Sequence, residues 1–295
     1  MTQTTTVKRK RRWGDRKDGR RIRTLPPMSY IEPFIMVTRN DALVQFADEF
    51  SADAAEKYIQ EKRKEGMQNF SMLHFMVAAY VRTVSQRPAL NRFIAGQQIY
   101  THGFVEVNLD IKKEMKIDAP DSVLSVRIDP AATAQDVYKI LDDAISSTRS
   151  EVTNMDKAAA VFNKIPRFIR KFLFWLIRLL DYYGWLPDFL YRLSPFHGSF
   201  FITSMSSIGL PPIFHHIYNL GTVPCFMAIG RTKKRLATNA AGETVEKRYL
   251  PYAVVLDERI CDGYYFASAF RVMTGVFRNP HMLDNPPEQV FEDID

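Results

Sequence analysis

The chain has 295 residues, 46% hydrophobic and 25% charged, the balance of a globular protein with room for one large domain or two small ones. Sixteen prolines and thirteen glycines exclude a low-complexity or collagen-like chain, and 21 Phe with 13 Tyr exclude a disordered one. The net charge of +7 is local, because residues 8–23 set ten Lys and Arg against Asp15 and Asp18 for +8, and the remainder sums to −1; composition therefore gives no support for a basic nucleic-acid-binding domain and isolates a basic N-terminal arm, residues 1–29.

No apolar stretch of about 7 to 15 residues follows that arm, so it is not a signal peptide. The most suspicious apolar run, Phe172-Leu173-Phe174-Trp175-Leu176-Ile177 between Lys171 and Arg178, is far short of the roughly 20 residues of a membrane span. Cys225 and Cys261 lack CxxC spacing, which argues against a disulfide framework or structural zinc and for a reducing, cytoplasmic setting.

In chain order, Tyr30 to Thr38 reads as a strand, rich in β-branched and aromatic residues. A helix opens at Ser51 as its cap and closes at Gly66. A second helix carries Met72, Phe75, Met76, Ala79, Tyr80 and Val84 on one face, with Ser71 as cap and Pro88 as stop. Strands follow at Gln98 to Thr101, Phe104 to Ile111 and Val123 to Ile128, then a helix from Ala134 to Ser147. Residues 157–194 differ in character: Ile165, Phe168, Ile169, Phe172, Leu176, Leu179, Leu180 and Tyr183 make an apolar stripe, against basic Lys164, Arg167, Arg170, Lys171 and Arg178. Gly184 to Pro187 break this helix and Asp188 to Leu193 form another helical turn. Phe200 to Ser204, Cys225 to Gly230 and Arg248 to Asp257 read as strands, the last two joined as a hairpin around Asn239 to Gly242. Phe266 to Phe277 is a C-terminal helix, and the acidic end from Glu288 reads as frayed. Without regular βαβ alternation, the class is α+β.

Metal chemistry is not expected: the six histidines form no HExxH or His-x-His site beside carboxylates, and His74 belongs to an apolar helix. Phosphate-loop and dinucleotide motifs are absent. Thr203-Ser204-Met205-Ser206-Ser207-Ile208-Gly209 is a hydroxyl cluster at a strand end, where an oxyanion donor or a plain serine-rich turn would sit.

Leu256-Asp257-Glu258-Arg259-Ile260-Cys261-Asp262-Gly263, strand then helix, resembles the HxxxDG motif of the chloramphenicol acetyltransferase superfamily, which includes the acyltransferase cores of 2-oxo-acid dehydrogenase complexes. Phe75 to Tyr80 with Arg87-Pro88-Ala89-Leu90-Asn91, Ser206-Ser207-Ile208-Gly209, and Phe226-Met227-Ala228-Ile229-Gly230-Arg231 resemble its other motifs in the same order, covering roughly Tyr30 to Phe277. The resemblance implies a mixed sheet flanked by helices over residues 30–295, with the amphipathic segment at about 157–194 as an insertion. It implies an acyltransferase working on a thioester, with coenzyme A as carrier, a small-molecule hydroxyl, amine or thiol acceptor, and a homotrimer with its site between subunits. At this length the resemblance implies a single lobe, and no lipoyl segment is expected before it.

Carried over by motif, Asp262 is a structural aspartate paired with an arm arginine among Arg20, Arg21 and Arg23. Gly263 permits the tight helix start, and Ser206, or Ser204 two residues away, hydrogen-bonds the tetrahedral intermediate. The family's histidine falls on Glu258, which can act as base if burial raises its pKa; the competing reading pairs Glu258 with Arg259 or an arm arginine and makes the protein an inactive scaffold or ligand-binding homologue. A third option has His215 or His216, on the segment after the serine turn, enter the pocket and substitute as base. Arg231, Lys233 and Lys234 are candidates for the coenzyme A phosphates. Residues 165–193 either pack on the domain or touch an anionic membrane surface.

Overall fold

The computed structural model describes residues 11–112, 121–150, 162–238 and 242–295. Lys8, Arg9 and Lys10 of the arm, residues 157–161 of the insertion and most of the 239–242 turn lie outside them.

Seven strands form the main sheet. β2 (Leu43–Ser51), β10 (Thr244–Asp257), β8 (Cys225–Ile229), β7 (Phe200–Ser204), β5 (Val105–Lys112) and β6 (Asp121–Ile128) lie in that order, with β9 (Lys233–Thr238) on the outer half of β10. β5, β7 and β8 run parallel and the other pairs antiparallel, so the sheet is mixed. A small sheet joins β1 (Arg20–Arg21), β4 (Gln98–Thr101) and β3 (Arg92–Ala95).

Strand alternation assigns the two faces of the main sheet. Phe200, Ile202, Cys225, Met227, Tyr252 and Val254 face the helices α2 (Asp53–Lys64), α3 (Met72–Gln86), α4 (Ala134–Ser150) and α7 (Gly263–Arg278), and with them form the main core. α3 is buried from His74 to Ser85, as expected of a helix apolar on nearly every side. Tyr80 stacks on Phe200 at 3.7 Å, and Phe50 stacks on both Tyr252 at 4.3 Å and Phe277 at 4.2 Å. On the other face Phe201, Phe226 and Val255 pack under Ile217 and Val223. These two come from residues 205–224, which return along the sheet without helix or strand beyond one 3₁₀ turn.

Four expectations are corrected. Tyr30 to Thr38 is not a strand: α1 (Pro27–Ile35) is a helix, because Pro27 sits at its first turn with φ already helical. The edge place beside β10 belongs instead to β2, which reads poorly as a strand because Asp48 and Glu49 interrupt it, yet pairs over nine positions from Leu43 to Ser51. Ser51 is therefore the last strand residue, and α2 starts at Asp53 behind Ala52. The hairpin partner of β10 is β9, while β8 pairs with the inner half of β10, Tyr252 to Leu256. The C-terminus is tied down: Arg92 holds Asp293 through two 2.7 Å bonds, Arg20 bonds the carbonyls of Asp293 and Ile294, and the Phe291 N–H donates to Ser85 O.

The basic leader is seated on the domain from Arg12 onward, where Arg12 pairs with Asp295 at 2.7 Å. Arg16 is buried between Asp18, at 2.9 Å, and Asp181, at 2.8 Å, and His197 Nε2 lies 3.2 Å from the same Asp181 oxygen. Burial would raise the Asp181 pKa, but His197 and Arg16 outweigh it and hold the carboxyl well below the usual range. Asp181 ends the amphipathic helix α5 (Arg167–Tyr182), which continues through Gly184, at φ +71°, into α6 (Asp188–Leu193).

Candidate active site

β10 ends at Asp257, whose side chain, two residues beyond Val255, takes the second face of the sheet. It is fully buried and accepts from Arg259 Nε at 2.8 Å and Nη2 at 2.7 Å, with Arg39 Nε 3.5 Å away. Arg259 also donates to Met36 O at 2.7 Å, and Arg39 to the carbonyls of Tyr218, Ile94 and Gly221. This buried cluster clamps the end of α1, the small sheet and the returning segment onto the turn that follows β10. Sequence reasoning missed it. The signal was present in the acid and base two apart in Asp257-Glu258-Arg259, but the third member, Arg39, is remote in the chain.

The clamp presents Glu258 at the start of a 3₁₀ turn, Glu258–Ile260, exposed and with no hydrogen bond or ion pair among the described residues. The expected burial of this carboxylate is not found in the single chain, nor is a pairing with Arg259, which is committed to Asp257. Asp262 is also exposed and caps α7 by accepting from the Tyr265 N–H at 2.8 Å. The expected arm arginine does not reach it: Arg20 serves the C-terminus and Arg23 bonds Asp15 at 2.8 Å. Gly263 opens α7, yet a Cβ there would meet nothing within 4 Å, so the single chain makes no steric demand for glycine. Cys261 is half-buried and its thiol is pushed up by burial.

Ser206 lies in the 3₁₀ turn Met205–Ile208 that leaves β7, exposed, with its Oγ 2.8 Å from Ser204 Oγ. The turn closes on Gly209 at φ +75°, a left-handed conformation that favours glycine. Gly230 and Arg231 leave β8 at this same end of the sheet, since Ser204 pairs with Ile229. Arg231 and Lys233 are exposed and without a carboxylate partner among the described residues, whereas Lys234 is bound to Glu246 at 2.8 Å.

The register decides how these residues relate. Ser204 and Tyr252 both lie opposite Ile229, and Asp257 is five residues beyond Tyr252. At about 3.3 Å per residue the two ends are roughly 17 Å apart. Ser206 and Glu258 thus leave the sheet at opposite ends, far beyond the roughly 3 Å over which a base or an oxyanion donor acts.

His215 lies on the returning segment at the Glu258 half, stacked on Phe226 at 4.4 Å and 10°, with Phe226 stacked on Phe201. Burial first, and then His216, lower its pKa, and its buried Nε2 has no hydrogen-bond partner among the described residues. His216 points the other way, exposed, with its ring edge on Tyr218. Among the described residues no group of three His, Cys, Asp or Glu is placed to hold a metal.

Solved structures similar to this chain include a probable dihydrolipoamide acetyltransferase from Listeria monocytogenes (TM-score 0.56, 12% identity, covering 91% of this chain and 99% of that one). A second is the Azotobacter vinelandii dihydrolipoamide acetyltransferase, studied for a serine, a histidine and an asparagine in its catalytic mechanism (TM-score 0.54, 13% identity, covering 88% and 93%). A third is a truncated catalytic core of the 2-oxoacid dehydrogenase multienzyme complex from Thermoplasma acidophilum (TM-score 0.53, 14% identity, covering 88% and 99%). No protein-family model and no curated protein matches. Likeness at this level of identity is a statement of architecture, and it agrees with the mixed sheet and the strand-turn-helix at Glu258 to Gly263: the chain has the chloramphenicol acetyltransferase-like fold of 2-oxoacid dehydrogenase acyltransferase cores.

Proposed function

We propose that this protein is an acyltransferase that moves an acyl group from a coenzyme A thioester to a hydroxyl, amine or thiol, at a site shared between neighbouring subunits of a homotrimer. The observation that carries the reading is the opposed placement of Ser206 and Glu258 on one sheet. Each end offers half of a site, and two copies supply both halves. Exposed apolar side chains flank each half, Ile208, Leu210 and Ile213 near the serine and Tyr264 near the glutamate, as a surface covered by another copy would have.

In this reading Glu258 takes the proton of the acceptor, which attacks the thioester carbonyl carbon. Ser206 Oγ, oriented by Ser204, donates to the oxyanion of the tetrahedral intermediate. Collapse expels the thiolate, and the proton held on Glu258 passes to its sulfur. The neighbouring subunit covers Glu258 in this arrangement and excludes water from the carboxylate and the acceptor it faces. Arg231 and Lys233, at the serine end, suit the phosphates of coenzyme A.

The test is release of free thiol from acetyl-coenzyme A across an acceptor panel. Ser206→Ala lowers the acceptor-dependent rate by about 10²–10³, and Glu258→Gln by about 10²–10⁴. Co-refolding the two variants restores about a quarter of the sites, those pairing an intact serine with an intact glutamate. Full activity in both variants, or no recovery in the mixture, refutes the shared site. Acyl-coenzyme A binding without turnover on any acceptor identifies a ligand-binding homologue.

A second reading rests on the free Nε2 of His215. Its lowered pKa keeps the imidazole neutral and able to accept a proton at neutral pH. If His215 is the base, His215→Asn abolishes the reaction while Glu258→Gln does not.

A further inference from the structure

An amphipathic helix in a globular protein normally buries its apolar stripe. α5 does not: of its sixteen residues only Asp181 is buried. At about 100° per residue, Trp175, Phe168, Leu179, Phe172 and Ile169 fall within an arc of about 120°, and all five are exposed, Phe168 at 74%. The stripe runs on through Tyr183, Trp185 and Phe189 at the turn into α6, Trp185 at 69% exposed. Arg167, Lys171 and Arg178 border it on one side and are exposed too. The one acid of the helix, Asp181, is engaged by Arg16 and His197. Beside α6, a cavity of about 500 Å³ opens toward the leader; its two carboxylates are engaged, Asp18 by Arg16 and Asp188 by Lys17, while Arg11 and Arg192 in its wall have no carboxylate partner among the described residues.

The geometry points to α5 and the start of α6 as a docking surface for an anionic lipid bilayer. Large aromatic side chains beside a basic rim are what an interfacial helix presents to acyl chains and to lipid phosphates. The charge pattern selects this partner over a second copy, because two such faces would bring basic rims together with no free acid on either helix. The helix lies on the surface and does not insert across it: no helix among the described residues is long and apolar enough to cross a membrane. This inference is independent of the acyl-transfer reading, since it involves neither Ser206 nor Glu258.

The experiment uses the full chain and vesicles of phosphatidylcholine, alone or mixed with phosphatidylglycerol, read by co-sedimentation and by tryptophan emission. All three tryptophans, Trp13, Trp175 and Trp185, are exposed in the free protein, so insertion of the last two shifts the emission to the blue. The mixed vesicles bind at about 50 mM salt, and binding weakens at least about tenfold at about 0.5 M. Replacing Arg167, Lys171 and Arg178 together by Gln lowers affinity about a hundredfold, near fivefold for each cation removed. Phe168→Ser, Phe172→Ser and Phe189→Ser combined, which keep both reporter tryptophans, abolish the blue shift while the melting temperature stays unchanged, because these side chains are exposed. No binding at low salt overturns the proposal. So does binding that the serine variant leaves intact, which would assign it to the leader alone, or a serine variant that instead reduces the size of the assembly, which would make the face a contact between copies.

Discussion

A carboxylate without solvent contact is stable only when its oxygens are fully matched by donors, and Asp257 has Arg259 on both oxygens and Arg39 beyond. Removing one partner leaves the other buried and uncompensated. Arg259→Leu is therefore expected to destabilise the fold by about 3–5 kcal/mol, while the double variant Asp257→Asn with Arg259→Leu recovers a large part of that loss. Glu258, next to both but exposed and unpartnered, behaves oppositely: Glu258→Gln shifts stability by no more than about 0.5 kcal/mol. Urea denaturation midpoints of the three variants separate the structural acid from the candidate catalytic one. A Glu258→Gln midpoint as low as that of Arg259→Leu would show that Glu258 belongs to the structural cluster.

At the scale of elements, Asp262 works as the cap of α7 and not as the partner of an arm arginine. Asn accepts the same backbone N–H without the charge, so Asp262→Asn is expected to cost a few tenths of a kcal/mol and Asp262→Ala about 1 kcal/mol. Equal, larger losses in both would indicate an ion pair. The elements legible in the sequence are those defined locally: α3 by its spacing and its cap at Ser71, α5 by its stripe, β7 by its run of β-branched and aromatic residues, and α7 from Phe266 onward, short of its start at Gly263. β2 and α1 were not legible, because β2 exists through its pairing with β10 while Asp48 and Glu49 mask it, and the two prolines before Met28 override an apparent strand. The site was legible as a set of motifs in order. The separation of Ser206 from Glu258 was not, since it follows from strand register, which no single segment specifies. Of the arginines of Asp257, Arg259 stands two residues away in the sequence, while Arg39 was hidden because it reaches the carboxylate only in the folded chain.

For the molecule as a whole, His74 and His102, two of the three buried histidines and on different sides of the fold, dominate its response to mild acid, with half-buried His215 adding in the same direction. His74 reaches back to Ser71 at the start of α3 and stacks on Phe70, with the Tyr138 ring tilted against it. His102 stacks on Phe93 at 4.2 Å with Nδ1 2.7 Å from Asp18 O, joining the leader to the small sheet. Burial pushes each pKa down to about 4. The unfolded chain protonates these residues near 6.5, so between about pH 6.5 and about 4 the unfolded state binds more protons than the folded one. Stability is then full above about pH 6.5 and falls as pH drops to about 4, by at most about 3 kcal/mol per histidine. The carboxyls of Asp18 and Asp181 act lower on the scale: Arg16 at Asp18, and His197 with Arg16 at Asp181, outweigh burial, so what they contribute is lost only as pH falls below the ordinary aspartate value. Urea midpoints taken from about pH 7.5 downward should therefore decline in two stages, histidines first. Replacing His74 by Gln and His102 by Phe should flatten the upper stage and leave the lower one. An upper stage of unchanged slope in that double variant would show that the acid sensitivity arises elsewhere in the molecule.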